Sequence, residues 1–168
     1  MISGATRPIR EEHRELLPHI ERLRSTADDI GHVPGDVLRR KLDDAYAFLE
    51  HDLVPHAKAE DEVLYPAVAR LMGATRATAT MSHDHLEVLR LAGELEGLRA
   101  FPEAEPDAQR ANDLRRVLYG LYTLLRTHFA KEEEIYLPIL DERLTLAEAA
   151  DLFSAMERAA ALTRSAAR

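Results

Sequence analysis

Hydrophobic residues recur every three or four positions along most of this chain, and no stretch alternates with period two over a useful length. This spacing collects apolar side chains on one face of a helix and predicts an all-α protein. The predicted helices cover about residues 8–29, 36–72, 76–99, 107–143 and 145–164. We expect the first four to form an antiparallel up-down four-helix bundle over about residues 7–143, with the short fifth helix added to it.

Residues typical of helix ends divide these segments. Asp36 and Asp107 each follow a Pro-containing linker and are expected to cap the helices that they begin. Gly73 can end the second helix. Thr145 and Glu148 form a capping-box pattern at the start of the fifth.

Several prolines fall inside the helical patterns and are expected to bend their helices. They are Pro18, Pro55, Pro66 and Pro138. We interpret the apolar faces as continuing in phase past Pro66 and Pro138. The buried face of the second helix then runs through Val63 and Ala67, and that of the fourth through Ile135 and Ile139.

Composition narrows the class of protein. A chain of 168 residues with 46% hydrophobic residues is expected to form a single domain over residues 1–168. Cysteine is absent, which excludes thiolate-bound metals. A net charge of −8 argues against nucleic acid as a partner. The sequence has neither a long apolar run nor the apolar core of a signal peptide, so we expect no membrane partner and a cytoplasmic location. The pattern leaves the oligomeric state open.

An internal repeat selects the candidate functional residues. Four residues recur with a constant shift of 72 positions: His13, His56, Glu60 and Pro66 become His85, His128, Glu132 and Pro138. The repeated histidines all lie on the apolar faces of their helices, and each repeated glutamate follows a histidine by one turn. The other histidines do not repeat and lie off these faces. They are His19, His32, His51 and His83.

Four histidines and two glutamates directed into one bundle core predict a site for two metal ions. Two buried carboxylates without a counter-charge would cost several kcal/mol each. A buried network of protonated histidine and glutamate is the alternative. We expect His13 and His56 to bind one ion, His85 and His128 the other, and both glutamates to bridge. This donor set favours iron over manganese or zinc. The neighbouring acidic residues are expected to face solvent, and the less favoured alternative is that Asp61 or Glu133 supports the metal ligands from outside.

The chain resembles the hemerythrin-like, or HHE cation-binding, domains. The segments that carry the resemblance are Glu12-His13-Arg14-Glu15-Leu16, His56 to Glu60 with Leu64-Tyr65-Pro66, Asp84-His85-Leu86-Glu87-Val88, and His128 to Glu132 with Tyr136-Leu137-Pro138. The resemblance implies a four-helix bundle that holds two iron ions joined by an oxo or hydroxo bridge. It also implies a small-molecule ligand such as dioxygen, hydrogen peroxide or nitric oxide.

The sequence departs from the oxygen-carrying members of that family on its third helix. Those members have a further histidine there, whereas the positions one turn from His85 hold Met81 and Leu89. A missing imidazole leaves one iron open to peroxide or to another side chain, for which Asp52, Tyr46 and Tyr122 are candidates. Catalase-like disproportionation of peroxide is therefore one expected activity. The alternatives are a sensor or storage protein without turnover and a helical interaction module with a zinc-filled site.

Overall fold

Five helices account for the fold. The computed structural model describes residues 4–102 and 104–166. After a 3₁₀ turn at Gly4–Thr6, the helices are α1 (Arg7–Asp29), α2 (35–72), α3 (Ala79–Arg99), α4 (108–143) and α5 (Leu146–Ala166). The described ranges contain no β-strand, which confirms the all-α prediction. None of the helices in these ranges is long and apolar enough to cross a membrane.

The helices pack around two apolar clusters. α1 and α3 each contact both α2 and α4, and α5 packs on the second half of α2. Leu16, Leu53, Val88 and Leu125 belong to one cluster, which fills the bundle on one side of its middle. Ile9, Ala59, Met81 and Tyr136 belong to the other, which also includes residues of α5. On each of the first four helices, one of the repeated histidines lies between the two clusters.

Three of the predicted helix-end signals are confirmed, and one is wrong. The Asp107 carboxylate accepts the Arg110 backbone N–H at 2.7 Å, and Thr145 and Glu148 exchange the two hydrogen bonds of a capping box. Gly73 has a left-handed φ of 65°. Asp36, however, does not cap α2. The helix begins one residue earlier at Gly35, whose N–H donates to Glu105 Oε1 at 3.0 Å.

Wide π-helical turns interrupt α2 and α4 just before their prolines. They lie at Leu49–Leu53, Glu60–Leu64 and Glu132–Tyr136, and a proline follows each within two residues. A proline has no N–H, and its ring collides with the carbonyl one turn back, so a wider turn relieves both problems. The last two π turns start at the repeated glutamates and are themselves 72 residues apart.

These wide turns shift the buried face of each helix by one residue. The prediction for Ile135 is wrong, because Ile135 is 52% exposed and the next residue, Tyr136, is buried instead. Val63 is only partly buried where it packs on the second cluster, and the next residue, Leu64, is fully buried. Ala67 is buried as predicted. The extra residue in each π turn accounts for the shift.

The start of α2 gives a first prediction. A Cβ at Gly35 would lie 1.8 Å from the Ala104 carbonyl oxygen, so Gly35→Ala is expected to lower the free energy of unfolding by about 1–3 kcal/mol. Gly93 is an exposed mid-helix glycine with no atom near its missing Cβ. Gly93→Ala, the matched control, should raise stability by about 0.5–1 kcal/mol. Urea unfolding measures both, and equal stability of the two variants would contradict the close contact.

Candidate metal centre

The six repeated histidines and glutamates meet in the middle of the bundle and are almost inaccessible to solvent. Each is at most 5% exposed, and the two glutamates are fully buried: His13, His56, Glu60, His85, His128 and Glu132. Of the remaining histidines, His32, His51 and His83 are exposed. His19 stacks on Phe48 with ring centroids 5.0 Å apart, within the apolar end of the bundle.

Glu60 extends one carboxylate oxygen towards each pair of histidines. Its Oε1 lies 3.0 Å from His56 Nε2 and 3.7 Å from His13 Nε2. Its Oε2 lies 3.3 Å from His85 Nε2. One carboxylate therefore faces both predicted metal positions.

Glu132 repeats this arrangement from the opposite helix. Its Oε2 lies 3.4 Å from His13 Nε2, and its Oε1 lies 3.5 Å from His128 Nε2. The Nε2 atoms of His85 and His128 are 3.0 Å apart, close enough to share one ion. Two groups of side chains could each hold a metal ion: His13, His56, Glu60 and Glu132 in one, and Glu60, His85 and His128 in the other.

Unpartnered polar atoms concentrate at this point. Seven buried side-chain nitrogen or oxygen atoms in the described ranges have no hydrogen-bond partner, and only the Nε of Arg99 lies elsewhere. The other six are His13 Nε2, both ring nitrogens of His56, both carboxylate oxygens of Glu60 and Glu132 Oε2. Buried polar atoms are normally satisfied. Metal ions between these residues would use every one of the six except His56 Nδ1, which lies 3.2 Å from Glu12 Oε1.

A second set of carboxylates contacts the far side of each imidazole. Each of the four central histidines directs its Nε2 into the centre and its Nδ1 towards a carboxylate of a neighbouring helix. The four Nδ1 pairs are His13 with Glu133 (2.8 Å), His56 with Glu12 (3.2 Å), His85 with Asp61 (2.9 Å) and His128 with Asp84 (3.0 Å). These pairs link α1, α4, α3 and α2 in a closed ring. Carboxylate–histidine pairs of this kind fix the ring orientation and tautomer of metal-binding histidines.

The prediction that Asp61 and Glu133 face solvent is therefore wrong. Each follows a repeated glutamate inside a π turn, where a residue rotates less about the helix axis than in an α-helix, so it stays near the centre. A signal was present in the sequence. Glu12 and Asp84 are 72 residues apart, as are Asp61 and Glu133, so the second set of carboxylates follows the same repeat as the first.

Tyr65 is a functional candidate that neither the 72-residue repeat nor the helix periodicity selects. Its hydroxyl donates to Glu132 Oε1 at 2.6 Å and lies 3.1 Å from His128 Nε2 and 3.5 Å from His85 Nε2. The other pair of histidines has an apolar ring instead, because Phe129 stacks on His13 with centroids 4.4 Å apart. The centre is thus polar on one side and aromatic on the other.

The side chains expected to replace the missing histidine lie elsewhere. Asp52 is exposed, Tyr46 lies beneath the Arg99 guanidinium and Tyr122 beneath that of Arg24. Met81 is fully buried on the inner face of α3, but Leu89 is 44% exposed and points away. Of the two positions one turn from His85, only that of Met81 faces inward.

Charge within the centre favours protonated imidazoles while no metal is bound. Burial opposes protonation of His13, but hydrogen bonds to Glu133 and Glu60 outweigh it and raise the pKa of His13 to about 9. Burial likewise opposes protonation of His85, and its bonds to Asp61 and Glu60 raise that pKa to about 9. Burial, followed by the charges of Glu60 and Glu132, raises the pKa of Tyr65, so its phenol stays neutral.

Comparison with known proteins agrees with this geometry. The model of the hemerythrin HHE cation binding domain matches residues 5–140. The chain belongs to this family, which implies that it binds metal. No curated protein and no solved structure matches the chain.

The ring of carboxylates gives a second prediction. Asp84→Ala removes the partner of His128 Nδ1 and leaves Glu60 and Glu132 in place, so metal affinity should fall by about 10- to 100-fold. Glu60→Ala, which removes a carboxylate that faces both pairs of histidines, should abolish binding of at least one ion and lower the melting temperature of metal-treated protein. Competition with a chelator measures the affinities. The adjacent, exposed His83 supplies the control, and loss of metal in His83→Ala would contradict the assignment.

The raised histidine pKa values give a third prediction, for metal-free protein. Because the pKa values of His13 and His85 are about 9 in the folded state, against about 6.5 unfolded, the folded state binds more protons between these limits. The stabilisation is complete below about pH 6.5 and is lost as the pH rises through about 9. Urea unfolding across this range should show it. Metal-loaded protein should lack this decline, and a metal-free protein that gains stability over this range would contradict the prediction.

Proposed function

We propose that this chain is a single-domain di-iron protein that binds a small oxidant, and that hydrogen peroxide is its substrate. The proposed ligands are His13, His56, Glu60, His85, His128 and Glu132, carried by an antiparallel four-helix bundle. The observation that carries the proposal is that Glu60 and Glu132 each reach both pairs of histidines from a fully buried position. The carboxylate–histidine pairs that link α1, α4, α3 and α2 in a closed ring support the bundle arrangement.

The donor set supports iron as the metal. Glu60 and Glu132 would supply carboxylates to both ions, and two imidazoles would serve each ion. Carboxylates shared between two ions, together with imidazoles, suit a di-iron centre. A pair of iron ions would carry the two electrons that one peroxide loses and a second takes up, so that two peroxide molecules give two waters and one dioxygen.

Tyr65 supports peroxide as the substrate. Its neutral hydroxyl lies beside His85 and His128 and donates to Glu132 Oε1. A phenol held there could donate its hydrogen bond to an oxygen atom of peroxide instead, and to Glu132 again once the product has left. Proton movement close to the substrate oxygens is what peroxide cleavage requires.

The buried surroundings of the centre determine which molecules can react there. Phe129 covers His13, and apolar residues lie on both sides of the histidine layer. These walls exclude bulk water and large reductants, while a small neutral molecule can pass between side chains. A sensor or storage protein without turnover would use the same surroundings. The hydroxyl of Tyr65 is the feature that favours turnover.

The test of this function joins metal analysis to a peroxide assay, and it is our fourth prediction. We expect about two iron ions per chain, since the donors form two sets. The ferric protein should absorb in the near ultraviolet and should release dioxygen from hydrogen peroxide. Zinc as the bound metal would contradict the iron proposal. An iron-loaded protein that leaves peroxide untouched would contradict the activity and favour the sensor or storage function.

Two substitutions isolate the contribution of Tyr65. Tyr65→Phe keeps the buried ring and removes the hydroxyl, so dioxygen release should fall by about tenfold or more with iron content unchanged. If the phenol binds iron directly, a visible absorption band will also disappear in this variant. Tyr122→Phe, at a half-buried tyrosine outside the centre, is the control. Equal rates in the two variants would exclude a role for the Tyr65 hydroxyl.

A further inference from the structure

An acidic groove leads from the surface to His56, on the side where its Nδ1 faces Glu12. It is a cavity of about 380 Å³ between α1, α2 and α5. Ile9, Ala59, Phe153 and Ala160 supply apolar wall, and His56 lies at its inner end. His56 is 2% exposed, and its Nδ1 lies 3.2 Å from Glu12 Oε1 while its Nε2 lies 3.0 Å from Glu60 Oε1. The groove thus ends at a buried imidazole that belongs to the candidate metal centre.

Carboxylates surround the opening of this groove. Glu11, Glu12, Glu15 and Glu157 line it, with Arg164 as the one guanidinium among the lining residues. Arg7 neutralises Glu11 from outside, with Nε and Oε1 2.7 Å apart. Glu15 and Glu157 are exposed and pair with no other described residue. Two uncompensated negative charges therefore remain at the opening.

Glu12 differs from the other three carboxylates that contact the histidines. Arg10 holds Glu133, Lys131 holds Asp84, and Ser82 donates to Asp61 at 2.6 Å. Within the described ranges, no cation or hydroxyl holds Glu12 in the same way, and its carboxylate lies in the groove. Glu12 can therefore contact an incoming cation before His56 does.

A second cavity that reaches the centre is not acidic. It has a volume of about 440 Å³ and ends at His13 and Phe129. Arg10, Arg14 and Arg126 line it together with Glu133. Arg10 is paired with Glu133 and Asp141, and Arg126 with Glu21, so these charges are largely balanced. A dication is therefore attracted more strongly by the acidic groove than by this opening.

We propose that the groove between α1, α2 and α5 is the passage through which divalent metal ions enter the centre. Glu15 and Glu157 attract the cation, Glu12 receives it, and His56 takes it into the site. α5 supplies one wall of the passage and lies beyond residue 140, where the match to the family ends. The proposal rests on the proposed metal binding but not on the reaction with peroxide.

Rates of metal uptake test this passage, our fifth prediction. Cobalt(II) is mixed with metal-free protein, and its visible absorption follows binding. Glu15→Gln/Glu157→Gln should slow uptake by about threefold or more at about 0.01 M salt, and the difference should disappear at about 1 M salt. The cobalt bound at equilibrium should not change. Glu50→Gln/Glu142→Gln removes the same charge from residues that do not line the groove and should match the wild type.

Substitutions that fill one cavity or the other provide a second test of the passage. Ala160→Phe fills the acidic groove and should slow uptake at every salt concentration, whereas Ala130→Phe, in the second cavity, should not. The passage is wrong if the Glu15/Glu157 variant takes up cobalt at the wild-type rate, or if Ala130→Phe is the slower of the two blocked variants. A wild-type protein that binds no cobalt at equilibrium would instead overturn the proposed metal binding, and the passage with it.

Discussion

Two fully buried carboxylates at the middle of the bundle are the constraint on which this structure depends. Glu60 and Glu132 are fully buried, and a charge in such a position is tolerated only when it is paired. Four imidazoles face them, and four outer carboxylates face those imidazoles in turn. Each helix thus supplies a histidine and the carboxylate that orients the histidine of a neighbour. The ring fixes the relative positions of α1 to α4 more specifically than apolar packing alone could.

Sequence periodicity predicted the helices and the six central residues, but it failed where the helix geometry changes. Assigning the buried face from hydrophobic residues at every third or fourth position assumes a constant number of residues per turn. The π turns at Glu60 and Glu132 break this assumption, so Ile135 is exposed where burial was expected. The same turns hold Asp61 and Glu133 near the histidines. The 72-residue repeat does not depend on helix geometry, which is why it also contains the outer carboxylates that the periodicity missed.

The repeat makes the centre nearly symmetric, and individual substitutions then make its two sides different. The residue 72 positions after Tyr65 is Leu137, and the residue 72 positions before Phe129 is Ala57. A phenol therefore contacts His85 and His128, while a phenyl ring covers His13. Two ions in these matching ligand sets would consequently differ in the polarity of their surroundings, which influences solvent access and redox potential at each.

The asymmetry extends outward to the surface. α5 follows the second copy of the repeat, and the first copy is not followed by an equivalent helix. α5 can therefore cover only one side of the bundle. It packs on the half of α2 that contains His56 and turns a shallow groove between α1 and α2 into a walled, acidic cavity. The corresponding side of His13 is lined by arginines, two of which are paired with carboxylates. A duplicated, internally symmetric centre thereby acquires two openings that differ in charge, and in the proposed passage this difference in charge, rather than size, selects the opening that an ion uses.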